Sequence, residues 1–365
     1  MKPSPYRVDK LAAHPDDLAA LREGLPTTPI TVHLMPANRC PHSCEFCSYR
    51  LPMNKNSVDF DAKSYIPWDA MERLLDDFEE MGVQGIEVTG GGEPMVYPHT
   101  QRLWERLAEG PFDTALVTNG TALGGRAPLV TKRMKWARVS IDAADKVTYA
   151  RMRLCKETEY ELAWNAVRSL RDAASDPDFR LGVGFVLSNE NLHEVYDFVE
   201  RARRSGADNC RLSLTFSDDG LDYFEDRGEL EEAVARSMDA EKDFSDDGFT
   251  VHNLIPERFY EVAHPRQDYV RCPTKDLLCV VEGECKVYTC CTLTGSLKGC
   301  YGKFTDHPQG FKGLWEDRSE WRKDFDASKY CDVSCLYRAR NLAMNSLIDS
   351  GDCPDEPGIL HGAFI

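Results

Sequence analysis

The sequence predicts an α/β fold built on a largely parallel sheet, followed by a small cysteine-rich region. Three observations carry this. Short β-branched runs and amphipathic helical stretches alternate six times between residues 30 and 217, and that alternation is the pattern of parallel strands joined by crossover helices. No internal repeat of fixed period interrupts it. The 14 cysteines are clustered, with three at 40–47 and nine between Cys272 and Cys353.

The elements follow in order. Residues 1–29 carry Pro3, Pro5, Pro15, Pro26 and Pro29 and one short helical stretch at 16–23, which predicts an arm rather than a domain. The alternating run 30–35 reads as the first strand. Trp68, Met71, Leu74, Leu75 and Phe78 fall at helical spacing, and Gly82 ends that helix. Strands follow at 85–89 and 114–118, with a helix around Leu103, Trp104 and Leu107 between them. Further strands are predicted at 137–141, 181–187 and 210–216, and helices at 159–174 and 192–204. Residues 218–265 read as a charged connector with a helix at 229–244, and residues 266–365 as a short-stranded, cysteine-rich unit with a closing helix at 336–348. Periodicity by itself does not separate a barrel from an open sheet.

Length and composition bound the rest. A chain of 365 residues with 42% hydrophobic content suits one large domain plus a smaller one. A net charge of −17 disfavours nonspecific nucleic-acid binding. Arg201, Arg203 and Arg204, like Lys132, Arg133 and Lys135, read as solvated helix surface. No leader and no membrane span is evident, so a soluble cytoplasmic protein is expected. In a reducing compartment clustered cysteines serve metals or catalysis rather than disulfides. Cys155 and Cys210 stand alone and read as small buried apolar side chains.

Cys40, Cys44 and Cys47 form a C-x3-C-x2-C pattern in the loop after the first strand. Three such thiolates can hold three corners of a [4Fe–4S] cube and leave the fourth iron open. Structural zinc wants a fourth ligand, for which His42 could be recruited. Gly90-Gly91-Gly92-Glu93-Pro94 follows the second strand. Glycines let backbone approach a ligand and a carboxylate there can meet an ammonium, although a plain turn looks the same. Ser140 and Asp142 end the fourth strand and, by strand alternation, face one side. Asp142 can equally cap the following helix. Cys272, Cys290, Cys331 and Cys335 can fully ligate a second [4Fe–4S] cluster, or a zinc ion. Cys291 would face away from Cys290 on a strand, and Cys279, Cys285, Cys291, Cys300 and Cys353 are spare.

These motifs, in this order, resemble the radical S-adenosylmethionine (SAM) enzymes, whose signature has an aromatic before the last cysteine, here Phe46. The resemblance implies a partial (β/α)6 TIM-like barrel over 30–217, with the site at the strand C-termini and a SPASM/twitch-like auxiliary-cluster domain after the connector. It implies a [4Fe–4S] cluster on Cys40, Cys44 and Cys47, and SAM held by Phe46, Gly91, Gly92, Glu93, Ser140, Asp142 and Arg153. Glu93 would meet the methionine amino group, Ser140 and Asp142 the ribose, and Arg153 the carboxylate, with Arg151 as the competitor one helical step away. Gly184, Val186 and Asn189 would line the adenine pocket. An auxiliary [4Fe–4S] cluster would sit on Cys272, Cys290, Cys331 and Cys335. Reductive cleavage of SAM, with an external one-electron donor such as flavodoxin or ferredoxin, would give a 5′-deoxyadenosyl radical. That radical takes a hydrogen atom from the substrate, leading to oxidation or rearrangement. Many peptide-modifying members carry a leader-binding domain before the barrel, and the short arm leaves no room for one. The expected substrate is therefore small and polar: a sugar, an amino-acid derivative or a nucleotide. The alternatives are a modified base, free or in nucleic acid, and, in another class, an iron–sulfur or zinc scaffold without SAM chemistry.

Overall fold

In the computed structural model the described residues are 6–49, 59–217, 219–264, 266–331, 334–350 and 359–365. Ten strands form one sheet: β1 (Thr31–Leu34), β2 (Gly85–Val88), β3 (Asp113–Thr118), β4 (Met134–Ser140), β5 (Arg180–Leu187), β6 (Asn209–Leu214), β7 (Thr250–Asn253), β8 (Leu278–Val281), β9 (Lys286–Tyr288) and β10 (Cys300–Lys303). The order is β10-β9-β8-β1-β2-β3-β4-β5-β6-β7. Pairing is parallel from β8 through β1 to β7, and antiparallel only between β8, β9 and β10.

The helices are α1 (Pro15–Arg22), α2 (Trp68–Met81), α3 (Thr100–Glu109), α4 (Ala127–Val130), α5 (Lys146–Arg153), α6 (Thr158–Ala173), α7 (Val195–Arg204) and α8 (Arg227–Phe244). They continue with α9 (Ile255–Ala263), α10 (Thr274–Leu277), α11 (Gly310–Asp317), α12 (Ser319–Asp324), α13 (Ala327–Tyr330) and α14 (Arg338–Ser350). The predicted helix after Pro67 is α2: its apolar stripe is buried, and Gly82 closes it in the left-handed conformation at φ 76°. One core cluster joins Ile86, Val88, Leu116, Val139, Val183 and Phe185 of the strands to Phe78, Leu103, Val167 and Phe198 of the helices.

The sheet extends beyond the six predicted strands at both edges. β7 lies inside the stretch read as a charged connector and pairs with β6. β8 lies inside the cysteine-rich region and pairs with β1. The parallel array is thus continuous across the connector, whose predicted limits at 218 and 265 fall outside the described residues. Among the described residues β7 and β8 do not pair, so the curved sheet stays open. Its inner face, α9, α14 and residues 6–10 of the arm line one cavity of about 560 Å³.

The C-terminal tail sits against the strand N-termini, the end opposite the candidate motifs. Thr31 Oγ1 donates to Ala363 O at 2.8 Å and accepts from Ile365 N at 3.0 Å. Phe364 meets Trp136 edge-on at 5.6 Å, and Lys10 Nζ donates to Phe364 O at 2.7 Å. Gly85 is required beneath this tail, because a Cβ there would lie 2.3 Å from Ala363 O. Gly85→Ala should therefore destabilise the protein by about 1–3 kcal/mol, the cost of overpacking a filled site. Chemical denaturation measures this, and an unchanged midpoint would mean that the tail does not seat there.

Candidate functional site

The cysteine loop leaves β1 and is bonded on two sides. Ser43 N donates to Arg153 O at 3.1 Å and Glu45 N to Met152 O at 3.0 Å, so the end of α5 supports one side. The glycine loop after β2 supports the other: Glu93 N donates to Arg39 O at 2.9 Å. A Cβ on Gly92 would fall 2.3 Å from Arg39 O, and one on Gly91 would fall 2.4 Å from the Phe60 ring. Gly92 is needed because the two loops are in backbone contact there, and Gly91 because the Phe60 ring packs against it.

Cys40, Cys44, Phe46 and Cys47 line the large cavity together with Gly90, Gly92, Glu93, Ser140, Asp142 and Arg153. Gly91 supports the loop from beneath, against Tyr49 and Phe60. Burial pushes the Cys44 thiol up to about 12, with Arg153 opposing and Cys47, Asp142 and Cys40 adding to the rise. Three neighbouring thiols in that environment suit a metal, which takes the thiolate form that burial otherwise penalises. His42 is committed elsewhere: Nε2 lies 2.8 Å from Glu159 Oε2 and Nδ1 3.3 Å from Arg153 Nη1. It is therefore not a fourth ligand to the three cysteines. Cys155 and Glu159 bring ligand atoms within 4.8 Å of His42, but the Arg153 guanidinium on that ring opposes a cation there.

Glu93 is 2% exposed. Its Oε1 accepts from Met95 N at 3.0 Å and Thr118 Oγ1 at 2.6 Å, and its Oε2 accepts from Asn119 N at 2.7 Å. All three donors are neutral, and burial raises its pKa above the usual carboxylate range. A rigid, desolvated carboxylate facing a cavity, with no cation within ion-pair distance among the described residues, fits an incoming ammonium.

Asp142 and Arg153, each expected as a contact to SAM, lie against each other in the structure. β4 ends at Ser140, and Asp142 adopts φ 65°, so strand alternation does not carry through to it. Asp142 and Arg153 form a buried ion pair, 2% and 4% exposed at the side chain. Asp142 Oδ1 also accepts from Val186 N at 2.9 Å, so both of its oxygens are engaged within the chain. Arg153 donates to Ile141 O at 3.2 Å and Ser140 O at 2.8 Å besides. Both side chains line the cavity, and their pairing welds the end of β4 to α5 beneath the cysteine loop. Asp142 does not cap the next helix, which Asp145 does. Arg151 points outward to Glu190 at 2.5 Å. Val186 lines the cavity, whereas Asn189 bonds Tyr223 O at 2.9 Å and Glu225 N at 3.1 Å in the loop after β6.

A small second pocket gathers Cys272, Cys290, Cys331 and Cys335 with Tyr269, Tyr337 and Asn341. Cys272 precedes α10, Cys290 follows β9, and the other two precede α14. Burial pushes the Cys272 thiol up to about 12, and burial plus the other cysteines raises Cys290 well above its usual value. Cys335 Sγ lies 3.4 Å from Tyr337 N and 3.5 Å from Tyr269 Oη. A soft, closed set of four sulfurs with donors aimed at one of them suits iron–sulfur or zinc ligation. Cys291 faces the large cavity, 3.2 Å from Tyr337 Oη. Cys279 and Cys285 are buried, Cys210 is core, Cys300 is half-buried, and Cys353 lies outside the described residues.

With this geometry, comparison with known proteins is decisive. A family model for the radical SAM superfamily matches residues 34–202. The matched stretch, just under half of the chain, is of the radical SAM kind. Its cofactors are therefore a [4Fe–4S] cluster and SAM. It is similar to the PqqA peptide cyclase of Methylorubrum populi, 23% identical over 180 residues, 49% of this chain and 44% of that one. It is also similar to the GTP 3′,8-cyclase of Xanthomonas campestris pv. campestris, strain 8004, 31% identical over 173 residues, 45% of this chain and 49% of that one. The chain thus spans about half the length of these curated relatives. In fold it is similar to Streptococcus suis SuiB bound to S-adenosylmethionine, with TM-score 0.62, 15% identity and coverage of 90% and 78%. The same holds for anSMEcpe with bound AdoMet, with TM-score 0.61, 13% identity and coverage of 92% and 98%. Both likenesses are of fold, and their coverage takes in part of the cysteine-rich region. No helix among the described residues is long and apolar enough to cross a membrane.

The residues that sequence reasoning missed are the polar inner-face side chains Glu87, Arg138 and Arg211. Their signal was a period-two alternation of polar residues in strands such as Asn209-Cys210-Arg211-Leu212-Ser213-Leu214. Two single replacements separate the roles at this site. Asp142→Ala should cost about 3–5 kcal/mol of stability by leaving Arg153 uncompensated. Glu93→Ala should instead weaken SAM binding by roughly 1.5–3 kcal/mol, one charge-assisted contact. Equilibrium unfolding and calorimetry with SAM read the two effects separately, and a fully stable Asp142→Ala protein would contradict the structural role.

Proposed function

We propose that Cys40, Cys44 and Cys47 hold the [4Fe–4S] cluster of a reductive SAM-cleaving enzyme that abstracts a hydrogen atom from a polar substrate in the large cavity. The observation that carries this reading is one cavity shared by the three cysteines, Phe46, Glu93 and the polar inner face of the sheet. When bound, the cluster and SAM supply a 5′-deoxyadenosyl radical able to take hydrogen from an unactivated C–H bond. The chain's part is to place and enclose. Glu93 receives the amino group of SAM, the backbone at Gly91 and Gly92 sets the loop against the cysteines, and Phe46 and Val186 offer apolar surface to the adenosine. Ser140 and Asp142, which both line the cavity, are the proposed ribose contacts, with Asp142 oriented by Arg153. The tail at the strand N-termini and the helices outside the sheet keep solvent from the reacting atoms.

Cys272, Cys290, Cys331 and Cys335 are proposed as ligands of an auxiliary [4Fe–4S] cluster. A site closed by four cysteines favours an electron-accepting role, and hence net oxidation, over direct ligation of substrate. Isomerisation remains the alternative outcome for the same radical. The reaction draws one electron from an external flavodoxin- or ferredoxin-type donor. The clustering of the 14 cysteines around two candidate metal sites suits a reducing cytoplasm.

A small polar molecule is the first reading of the substrate. A peptide is the second, favoured by the names of the neighbours: SuiB has been solved bound to its precursor peptide SuiA, and the curated relatives include a peptide cyclase. A modified base in nucleic acid is less favoured, because the net charge is −17.

Replacing Cys40, Cys44 and Cys47 together by Ala should abolish 5′-deoxyadenosine formation by the anaerobically reconstituted, dithionite-reduced protein while some iron stays bound. Undiminished SAM cleavage would overturn the reading. On that triple-Ala background Cys335→Ala should eliminate the remaining Mössbauer signal and Cys291→Ala should keep it. The reverse result would reassign the ligands, and zinc in place of iron would remove the electron-accepting role.

A further inference from the structure

We propose that the substrate carries an anionic oxygen group, a phosphate or a carboxylate, that seats among Arg138, Arg211 and Arg340 inside the barrel. The inference rests on the cavity being the SAM-dependent active site and deepens that reading. Arg138 stands two residues before Ser140 on β4 and shares its inner face. Arg211 lies on β6 in register with Gly184, and Arg340 enters from α14 on the open side of the sheet. All three line the one cavity. β5 makes room for them: a Cβ on Gly184 would sit 3.4 Å from Arg138 Cδ, so the arginine stem lies across a strand position that has no side chain.

The other cations of this cavity are accounted for. Arg153 is held by Asp142, Arg258 by Glu261, Arg180 by the carbonyl oxygens of Pro177 and Phe179, and Lys10 by those of Phe364 and His361. Glu87, the acidic side chain of the inner face, already lies 3.4 Å from His33. Among the described residues no carboxylate lies within ion-pair distance of Arg138, Arg211 or Arg340. They lie instead near aromatic rings: Trp136 at 5.8 Å, Tyr6 at 5.9 Å and Tyr337 at 5.2 Å.

Burial lowers Arg138, but Tyr6 and Glu87 outweigh it and raise the group, whereas Arg211 feels the charge of Arg138. Burial, then repulsion from Arg138 and Arg258, pushes Arg211 down to about 9. Burial and Arg258 likewise lower Arg340, against the opposing pull of Tyr337 and Glu87. Guanidinium groups that line a cavity with no carboxylate at ion-pair distance are open to the charge of a ligand. Three planar forks lining one cavity match the oxygens of a phosphate or carboxylate better than a neutral group. The positive interior is not a by-product of composition, since the whole chain carries −17.

Calorimetry on the reconstituted, SAM-loaded enzyme tests this with pyrophosphate, inorganic phosphate and glutarate, and with the cation putrescine as the charge control. Wild type should bind at least one of the anions and not putrescine. Arg211→Gln and Arg340→Gln should each weaken that binding at least tenfold, and Arg211→Lys should restore part of it. Tighter binding of the phosphates would identify a phosphate ester, and tighter binding of glutarate a carboxylate. No anion binding by wild type at millimolar concentration, or equal binding by wild type and both Gln variants, would overturn the proposal. Formation of 5′-deoxyadenosine is measured on the same preparations. SAM cleavage without anion binding would defeat this inference alone, whereas anion binding without SAM cleavage would defeat the functional reading.

Discussion

Strands β1, β2, β4 and β6 of this sheet present an apolar face to their helices and a polar face to a cavity, and the rest of the structure answers to that constraint. A filled parallel barrel stacks branched apolar side chains in its interior. Here the interior carries His33, Glu87, Arg138, Asn209 and Arg211. Polar groups withdrawn from water must be paired, kept wet or held for a ligand. Asp142 answers Arg153 and Glu87 answers His33. Gly182 and Gly184 clear β5, so that Asn209 and Arg138 fit across it.

The two ends of the cavity are built differently because they do different work. At the strand N-termini the tail closes the space with backbone hydrogen bonds, an aromatic contact and Lys10, whose ammonium burial pushes down to about 7. At the strand C-termini three loops are fixed to one another by backbone approach. Gly92 presses on residues 37–39, and the loop after β3 supplies Asn119 N to Glu93. Preorganisation of this kind lets a single carboxylate recognise an ammonium without reorganising at the moment of binding.

The cysteine-rich region is tied into the barrel through more than the chain. β8 hydrogen-bonds directly to β1, the strand that carries the cysteine loop. Asn38 Nδ2 donates to Glu282 Oε2 at 2.5 Å, and Gly283 N donates to Asn38 Oδ1 at 3.1 Å. Tyr337 lines both the large cavity and the four-cysteine pocket, with its backbone on Cys335 and its hydroxyl on Cys291. The two sulfur sites therefore share a wall rather than a flexible linker.

The sequence by itself determined the strand–helix alternation, the three-cysteine loop, the glycine-rich turn and the grouping of Cys272, Cys290, Cys331 and Cys335. Each of these is local or is written in spacing: hydrophobic period marks the elements, and thiols close in number can share a metal. Only the tertiary structure decided what depends on residues far apart in the chain. β7 and β8 were not legible because a four-residue strand becomes recognisable through the neighbour it pairs with. The pairing of Asp142 with Arg153 was not legible either, because spacing does not reveal that a left-handed turn at Asp142 brings them together. The arginine-lined interior was hidden for the same reason. Arg138, Arg211 and Arg340 are unremarkable on their own elements, and become a site only when the sheet curves and α14 closes its open side.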